Sequence, residues 1–117
     1  DRVSQAVYKY NSSGVYQSVS FSVAAQETQP QGITWDGTSF WVTGYDTDTV
    51  YKYNSAGVYQ SVSFSVAAQE AVPYSLEWDG TGIVMVGTTN DKVWKYYPVN
   101  GVISATNLGG QNYVRVV

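Results

Sequence analysis

From Val58 to Val66 the chain alternates: Val58, Val62, Phe64 and Val66 fall on one side, with Gln60 as the exception, and Tyr59, Ser61, Ser63 and Ser65 on the other. Successive side chains of extended backbone point to opposite faces, so this period-two pattern predicts a half-buried strand. Its apolar side, and the same side of an upstream copy (Val15, Val19, Phe21 and Val23), is expected to be buried between sheets. Three shorter runs precede it, over Gly32–Asp36, Ser39–Tyr45 and Val50–Tyr53, rich in β-branched and aromatic residues. The separators carry turn chemistry. Asp36-Gly37 suits the positive φ angles of a tight hairpin, Asp46-Thr47-Asp48-Thr49 is a polar loop, and Asn54-Ser55-Ala56-Gly57 supplies Asn and Gly at turn positions. No run of ordinary helix length carries the combined three- and four-residue apolar spacing of a helix face. The expectation is an all-β chain of about ten or eleven short strands without a regular helix.

The four-strand unit recurs. Val7–Glu27 and Val50–Glu70 differ only at Ser13 against Ala56, and they start 43 positions apart. The same offset relates Pro30 to Pro73, Trp35-Asp36-Gly37-Thr38 to Trp78-Asp79-Gly80-Thr81, and Gly44 to Gly87, and a third copy opens at Val93-Trp94-Lys95-Tyr96. A period of about 40–45 residues with several strands per repeat is that of β-propeller blades, each a four-stranded antiparallel meander. The chain therefore reads as one repeat domain over 1–117: a partial blade (1–29), two blades (30–72 and 73–110) and a terminal strand (111–117). A β-sandwich explains the alternation equally well but not the fixed period. Too few blades are present to close a ring, which predicts closure by association of copies, a dimer giving six blades.

Pro30-x-Gly32-Ile33-x-x-Asp36-Gly37, Phe40-x-Val42, Asp46, Val50-Tyr51-Lys52-Tyr53 and Gly57 together resemble the NHL-type and related six-bladed propeller repeats. The resemblance covers most of the chain and implies fold more than function. Some members of that wider group are calcium-dependent lactonases or lyases that use channel-lining Glu, Asn, Asp and often His. This chain has no His and no carboxylate set at matching positions. Trp35-Asp36 looks like the dipeptide of WD40 repeats but lacks the Gly-His partner.

Composition narrows the chemistry further. Cys and His are both absent, which removes disulfides, thiolate catalysis, the commonest general base and the usual ligands of structural zinc. No cofactor is expected. Six basic residues against nine acidic leave a net charge of −3, and the basic ones are scattered, which argues against a nucleic-acid partner. No apolar run reaches the length of a membrane-spanning helix. The chain begins at Asp1, so its first residues say nothing of compartment; an extracellular or cell-surface setting is the preferred expectation.

Connections after the second and fourth strands of a meander share one rim, and by resemblance this rim commonly hosts propeller ligands. It would carry Gln29, Gln31, Tyr45, Asp46 and Asp48 from one blade, and Tyr74, Ser75, Asn90 and Asp91 from the next. Polar groups flanked by aromatic rings can hydrogen-bond and stack on a glycan or a protein segment, and these same residues are also what turns require. Asp46-x-Asp48 offers carboxylate oxygens to a calcium ion, far short of a dedicated calcium loop. Trp35, Trp41, Trp78, Trp94, Tyr51 and Tyr53 sit at strand positions and are read chiefly as core between blades. Asn11-Ser12-Ser13 fits a glycosylation sequon that the copy Asn54-Ser55-Ala56 does not keep. Three roles stay open: a non-catalytic binding module, a metal-dependent propeller hydrolase or lyase, and a purely structural repeat domain.

Overall fold

The computed structural model of the chain describes residues 1–90, 92–97 and 105–107. Asp91 and the strand expected over Tyr113–Val117 lie outside the described residues. Ten strands occur among them and no helix: β1 Ala6–Tyr10, β2 Tyr16–Ser22, β3 Pro30–Trp35, β4 Ser39–Gly44, β5 Thr49–Asn54, β6 Tyr59–Ser65, β7 Pro73–Trp78, β8 Ile83–Gly87, β9 Val93–Tyr96 and β10 Ala105–Asn107.

They form three antiparallel sheets: a first of β1 and β2, a middle of β3-β4-β5-β6, and a third of β7-β8-β9-β10, neighbours in the chain being neighbours in the sheet. Among the described residues no sheet closes into a barrel. The turns work as their residues dictate. Asp36 Oδ1 accepts the Thr38 and Ser39 amides at 2.8 Å each, and Gly37 takes φ 101°. Asn54 Oδ1 accepts the Ala56 and Val58 amides, 2.9 Å each, as Asn11 Oδ1 does for Ser13 and Val15. Such side-chain acceptors satisfy amides that the ladder leaves free.

The three sheets stack in chain order, the middle one covered on both faces. On one side, Val42 and Tyr53 pack with Val23 of the segment after β2, and Phe21, Phe40, Tyr51 and Tyr59 close round them. On the other, Trp41, Val50, Phe64 and Val66 meet Leu76, Ile83, Met85 and Tyr96 of the third sheet. The two junctions are repeat-equivalent: Phe21 lies 5.5 Å from Tyr53, and Phe64 lies 5.2 Å from Tyr96, ring centre to ring centre. A sheet with two apolar faces needs a partner on each, and stacking supplies it.

The alternating strand departs from its expected burial. Phe64 and Val66 are buried, as is Val23, and Phe21 is half-buried, but Val58, Val62, Val15 and Val19 are exposed. The cause is a bulge. Tyr53 pairs with Tyr59 and Tyr51 with Ser63, so four steps along β6 oppose two along β5, and Ser61 takes φ 55°. Val62 sits inside this bulge and Val58 in the turn before the strand; β2 repeats the arrangement, with Ser18 at φ 57°. A bulge takes residues out of the ladder and turns the outer strand away. Trp35 also departs from the core reading, with its ring exposed, whereas Trp41 is buried and Trp78, Trp94 and Tyr51 are half-buried.

Candidate functional site: a rim anchored by two buried glutamates

The rim is organised by two side chains that the sequence reading passed over. Glu27 and Glu70 end the identical repeat segments and are both fully buried. Glu27 Oε1 accepts the Gln29 amide at 2.8 Å and the Asp46 amide at 3.3 Å, while Oε2 accepts the Thr47 hydroxyl at 2.7 Å. Glu70 repeats this: Oε1 takes the Val72 and Thr89 amides at 3.0 Å each, and Oε2 takes the Asn90 amide at 3.1 Å. Each carboxylate thus ties the link entering a sheet to the loop between that sheet's second and third strands. A buried carboxylate is tolerated when donors satisfy it. Burial works against the charge of Glu70, and the hydrogen bonds from Val72, Thr89 and Asn90 outweigh it, holding the carboxyl below its ordinary value.

Glycine makes the seat. A Cβ at Gly44 would overlap Glu27 and the Gln29 carbonyl, and one at Gly87 would overlap Glu70 and the Val72 carbonyl. The signal was present in the sequence: an acid at the end of a perfectly repeated segment, with a glycine repeated at the matching strand end.

Around this anchor the structure gathers part of the expected site. Gln29 Nε2 donates to Asp46 Oδ1 at 2.7 Å, Thr28 donates to the other Asp46 oxygen, and Arg2 donates to Gln29 Oε1. These groups border an open hollow of about 570 Å³. Tyr45 is half exposed just beyond, its amide donating to the Gln29 carbonyl at 3.1 Å. Asp48 does not pair with Asp46 as a cation clip. Its backbone is left-handed at φ 49°, its carbonyl accepts the Val66 amide at 2.8 Å, and its Oδ1 is buried without a hydrogen-bond partner. Burial, then the charges of Glu27 and Glu70, push the Asp48 carboxyl up. No group of three or more acidic, His or Cys side chains able to hold a metal occurs among the described residues.

Gln31 stands apart from that hollow. It lines a second cavity of about 560 Å³ between β1 and β3, and its Oε1 is buried without a hydrogen-bond partner. Tyr74 and Ser75 are exposed on β7, their backbone packed against Gly32 of β3. Asn90 is exposed and held by Glu70 through its amide and by the Gln69 carbonyl through its side chain. Asp91 is outside the described residues.

No protein-family model, curated protein or solved structure matches the chain.

Proposed function

We propose that the chain is a β-propeller-type repeat domain that serves as a non-catalytic binding module, recognising a glycan or protein segment on the rim around Tyr45, and that copies of the chain associate to complete the ring. The observation that carries the reading is the pair of buried glutamates. They hold the rim loops in a fixed conformation, so Gln29, Asp46 and the half-exposed Tyr45 ring are preorganised for a ligand. Rigid polar groups beside an exposed aromatic face favour binding because little conformational freedom is lost. The carboxylates that a hydrolase would need free are engaged instead: Glu27 and Glu70 each accept three protein donors. The repeat period, the four-stranded meanders and the stacking of three sheets in chain order support the propeller reading.

Glycan and peptide arrays probed with the whole chain test the module, followed by titration of any hit. Tyr45→Ala and Asp46→Ala are expected to weaken binding by about tenfold or more, a loss of about 1.4 kcal/mol, with the melting temperature unchanged. A ligand bound equally well by both variants would place recognition elsewhere.

A further inference from the structure

The two repeat segments, Val7–Glu27 and Val50–Glu70, differ at one position, Ser13 against Ala56. That position is the third of Asn11-Ser12-Ser13, the acceptor sequence of an N-linked glycan, and the exchange removes the required hydroxyl from Asn54-Ser55-Ala56. The other asparagines, Asn90, Asn100, Asn107 and Asn112, have Lys92, Val102, Gly109 and Val114 two positions on. Asn11 therefore heads the single acceptor sequence in the chain.

Both turns have one geometry. Asn11 Oδ1 accepts the Ser13 and Val15 amides, and Asn54 Oδ1 accepts the Ala56 and Val58 amides, 2.9 Å in all four cases. Gly14 and Gly57 close the turns at φ 79° and 80°. The carboxamide oxygen is thus engaged, while Nδ2 of each asparagine donates to no described group and keeps contact with solvent. Amides held on the oxygen polarise the carboxamide and draw electron density from its nitrogen. Ser13 is exposed, and its hydroxyl makes no hydrogen bond among the described residues.

This access does not depend on what lies before the first sheet. The Asn54 turn does have a sheet before it, since a Cβ at Gly57 would overlap Phe21. Even so, Ser55 and Ala56 are exposed and Asn54 Nδ2 stays open. A layer packed in the same way before β1 would leave Asn11 Nδ2 and Ser13 open by the same geometry. The turn also lies at the rim away from Glu27: Tyr10 pairs with Tyr16 at its end of the sheet, and Ala6 pairs with Ser22 at the other. A group attached there leaves the rim of the proposed function clear, and the inference is independent of that reading.

We propose that Asn11 is an acceptor for an N-linked glycan, and that Ser13 makes it one while Ala56 denies the same role to Asn54. The donor is an oligosaccharide joined through its anomeric carbon to a lipid diphosphate, presented by a transferase. Asn11 Nδ2 gives one proton to a base of that enzyme and bonds to the anomeric carbon. The bond from that carbon to the diphosphate oxygen breaks, and the lipid diphosphate leaves with the electron pair. Oδ1 takes no part, so the turn keeps both of its amide contacts.

The test treats the purified native chain with microsomal oligosaccharyltransferase and a lipid-diphosphate-linked oligosaccharide, beside a control acceptor peptide. Intact mass and peptide mass spectrometry, before and after peptide N-glycosidase, read the outcome. One glycan per chain is expected, on Asn11. Asn11→Gln and Ser13→Ala are expected to lose it with circular dichroism unchanged, the second variant merely copying the turn of the other repeat. Ala56→Ser is expected to take a second glycan, on Asn54. A wild-type chain left bare while the control peptide is modified overturns the proposal, as does a glycan that persists in Asn11→Gln or Ser13→Ala. A single glycan on Ala56→Ser keeps Asn11 as the acceptor and overturns residue 56 as the reason Asn54 is not one.

Discussion

Asp36 and Asp79 stand in the same turn of successive repeats, yet their carboxylates end on different partners. Both use Oδ1 to hold the turn, through the Thr38 and Ser39 amides in one case and the Thr81 and Gly82 amides in the other. The second oxygen of Asp36 accepts the Trp41 indole N–H at 2.8 Å. That of Asp79 meets the Lys95 ammonium at 2.6 Å, the two side chains 0 % and 4 % exposed. One residue makes the difference: Val84 stands where the earlier repeat has Trp41. The indole fills the space and takes the carboxylate, and Lys52, the equivalent of Lys95, lies over its ring at 5.3 Å from the ring centre. With valine there, the lysine reaches the acid. A turn carboxylate repeated in both units thus accepts a neutral or a charged donor, and the volume of a neighbouring strand residue selects which.

The comparison is broken most directly at the lysines. Lys95→Met leaves Asp79 buried without its cation and is expected to cost about 3–5 kcal/mol, measured by urea unfolding. Lys52→Met loses only a cation–ring contact, about 0.5–1 kcal/mol. Equal losses would show that the two environments are energetically the same. The junctions offer a parallel contrast: Phe64→Ala is expected to cost about 3–5 kcal/mol, and Phe21→Ala less, because Phe21 is only half-buried.

pH sharpens the same point. Burial works against the charge of both aspartates, and hydrogen bonds outweigh it, from Trp41, Thr38 and Ser39 at Asp36 and from Lys95, Thr81 and Gly82 at Asp79. Their folded-state values lie below the unfolded ones, so the fold binds fewer protons than the unfolded chain. That stability is fully present above about pH 4 and lost as pH falls through the folded-state values. Lys95→Met removes the first of the groups that lower the Asp79 carboxyl, so burial is opposed only by the Thr81 and Gly82 hydrogen bonds and the proton is held more tightly than in wild type. The variant's deficit relative to wild type is expected to be larger at pH 7 than at pH 3 in thermal melts at the two values.

A smaller effect is expected from Trp41→Phe, which removes the indole donor and leaves an Asp36 oxygen short of a partner at a cost of about 1–3 kcal/mol. The smallest is at Asp48, where the shift is upward. Burial and the nearby Glu27 and Glu70 disfavour its charge, so Asp48→Asn is expected to raise the melting temperature slightly at pH 7. Asn also tolerates the left-handed backbone at this position. The gain should vanish once the wild-type carboxyl is protonated, and a gain that persists at acidic pH would assign it to the backbone instead.

Strand positions and turns were legible because their causes are local. Asp36-Gly37 and Asn54 with Gly57 set backbone conformations within a few residues, and the observed strands Ser39–Gly44 and Thr49–Asn54 follow the expected runs closely. The rim was half legible: Gln29, Asp46 and Tyr45 come together, but the buried glutamates beneath them were missed because an acid after a strand reads as solvated linker. Burial along the outer strands misled for a different reason. Alternation predicts a face, whereas the bulges at Ser18 and Ser61 decide which part of that face has a ladder partner.

The sequence by itself determined that the chain is all β, where it turns, and that one unit recurs every 43 residues, since these follow from the period of the side chains and the φ preferences of a few residues. Tertiary structure alone decided whether Tyr10 and Tyr53, identical in every local respect, lie in water or in the core, and whether Lys95 or Trp41 meets the turn aspartate. Burial belongs to the layer that packs against a residue from elsewhere in the chain, and no local pattern encodes that layer.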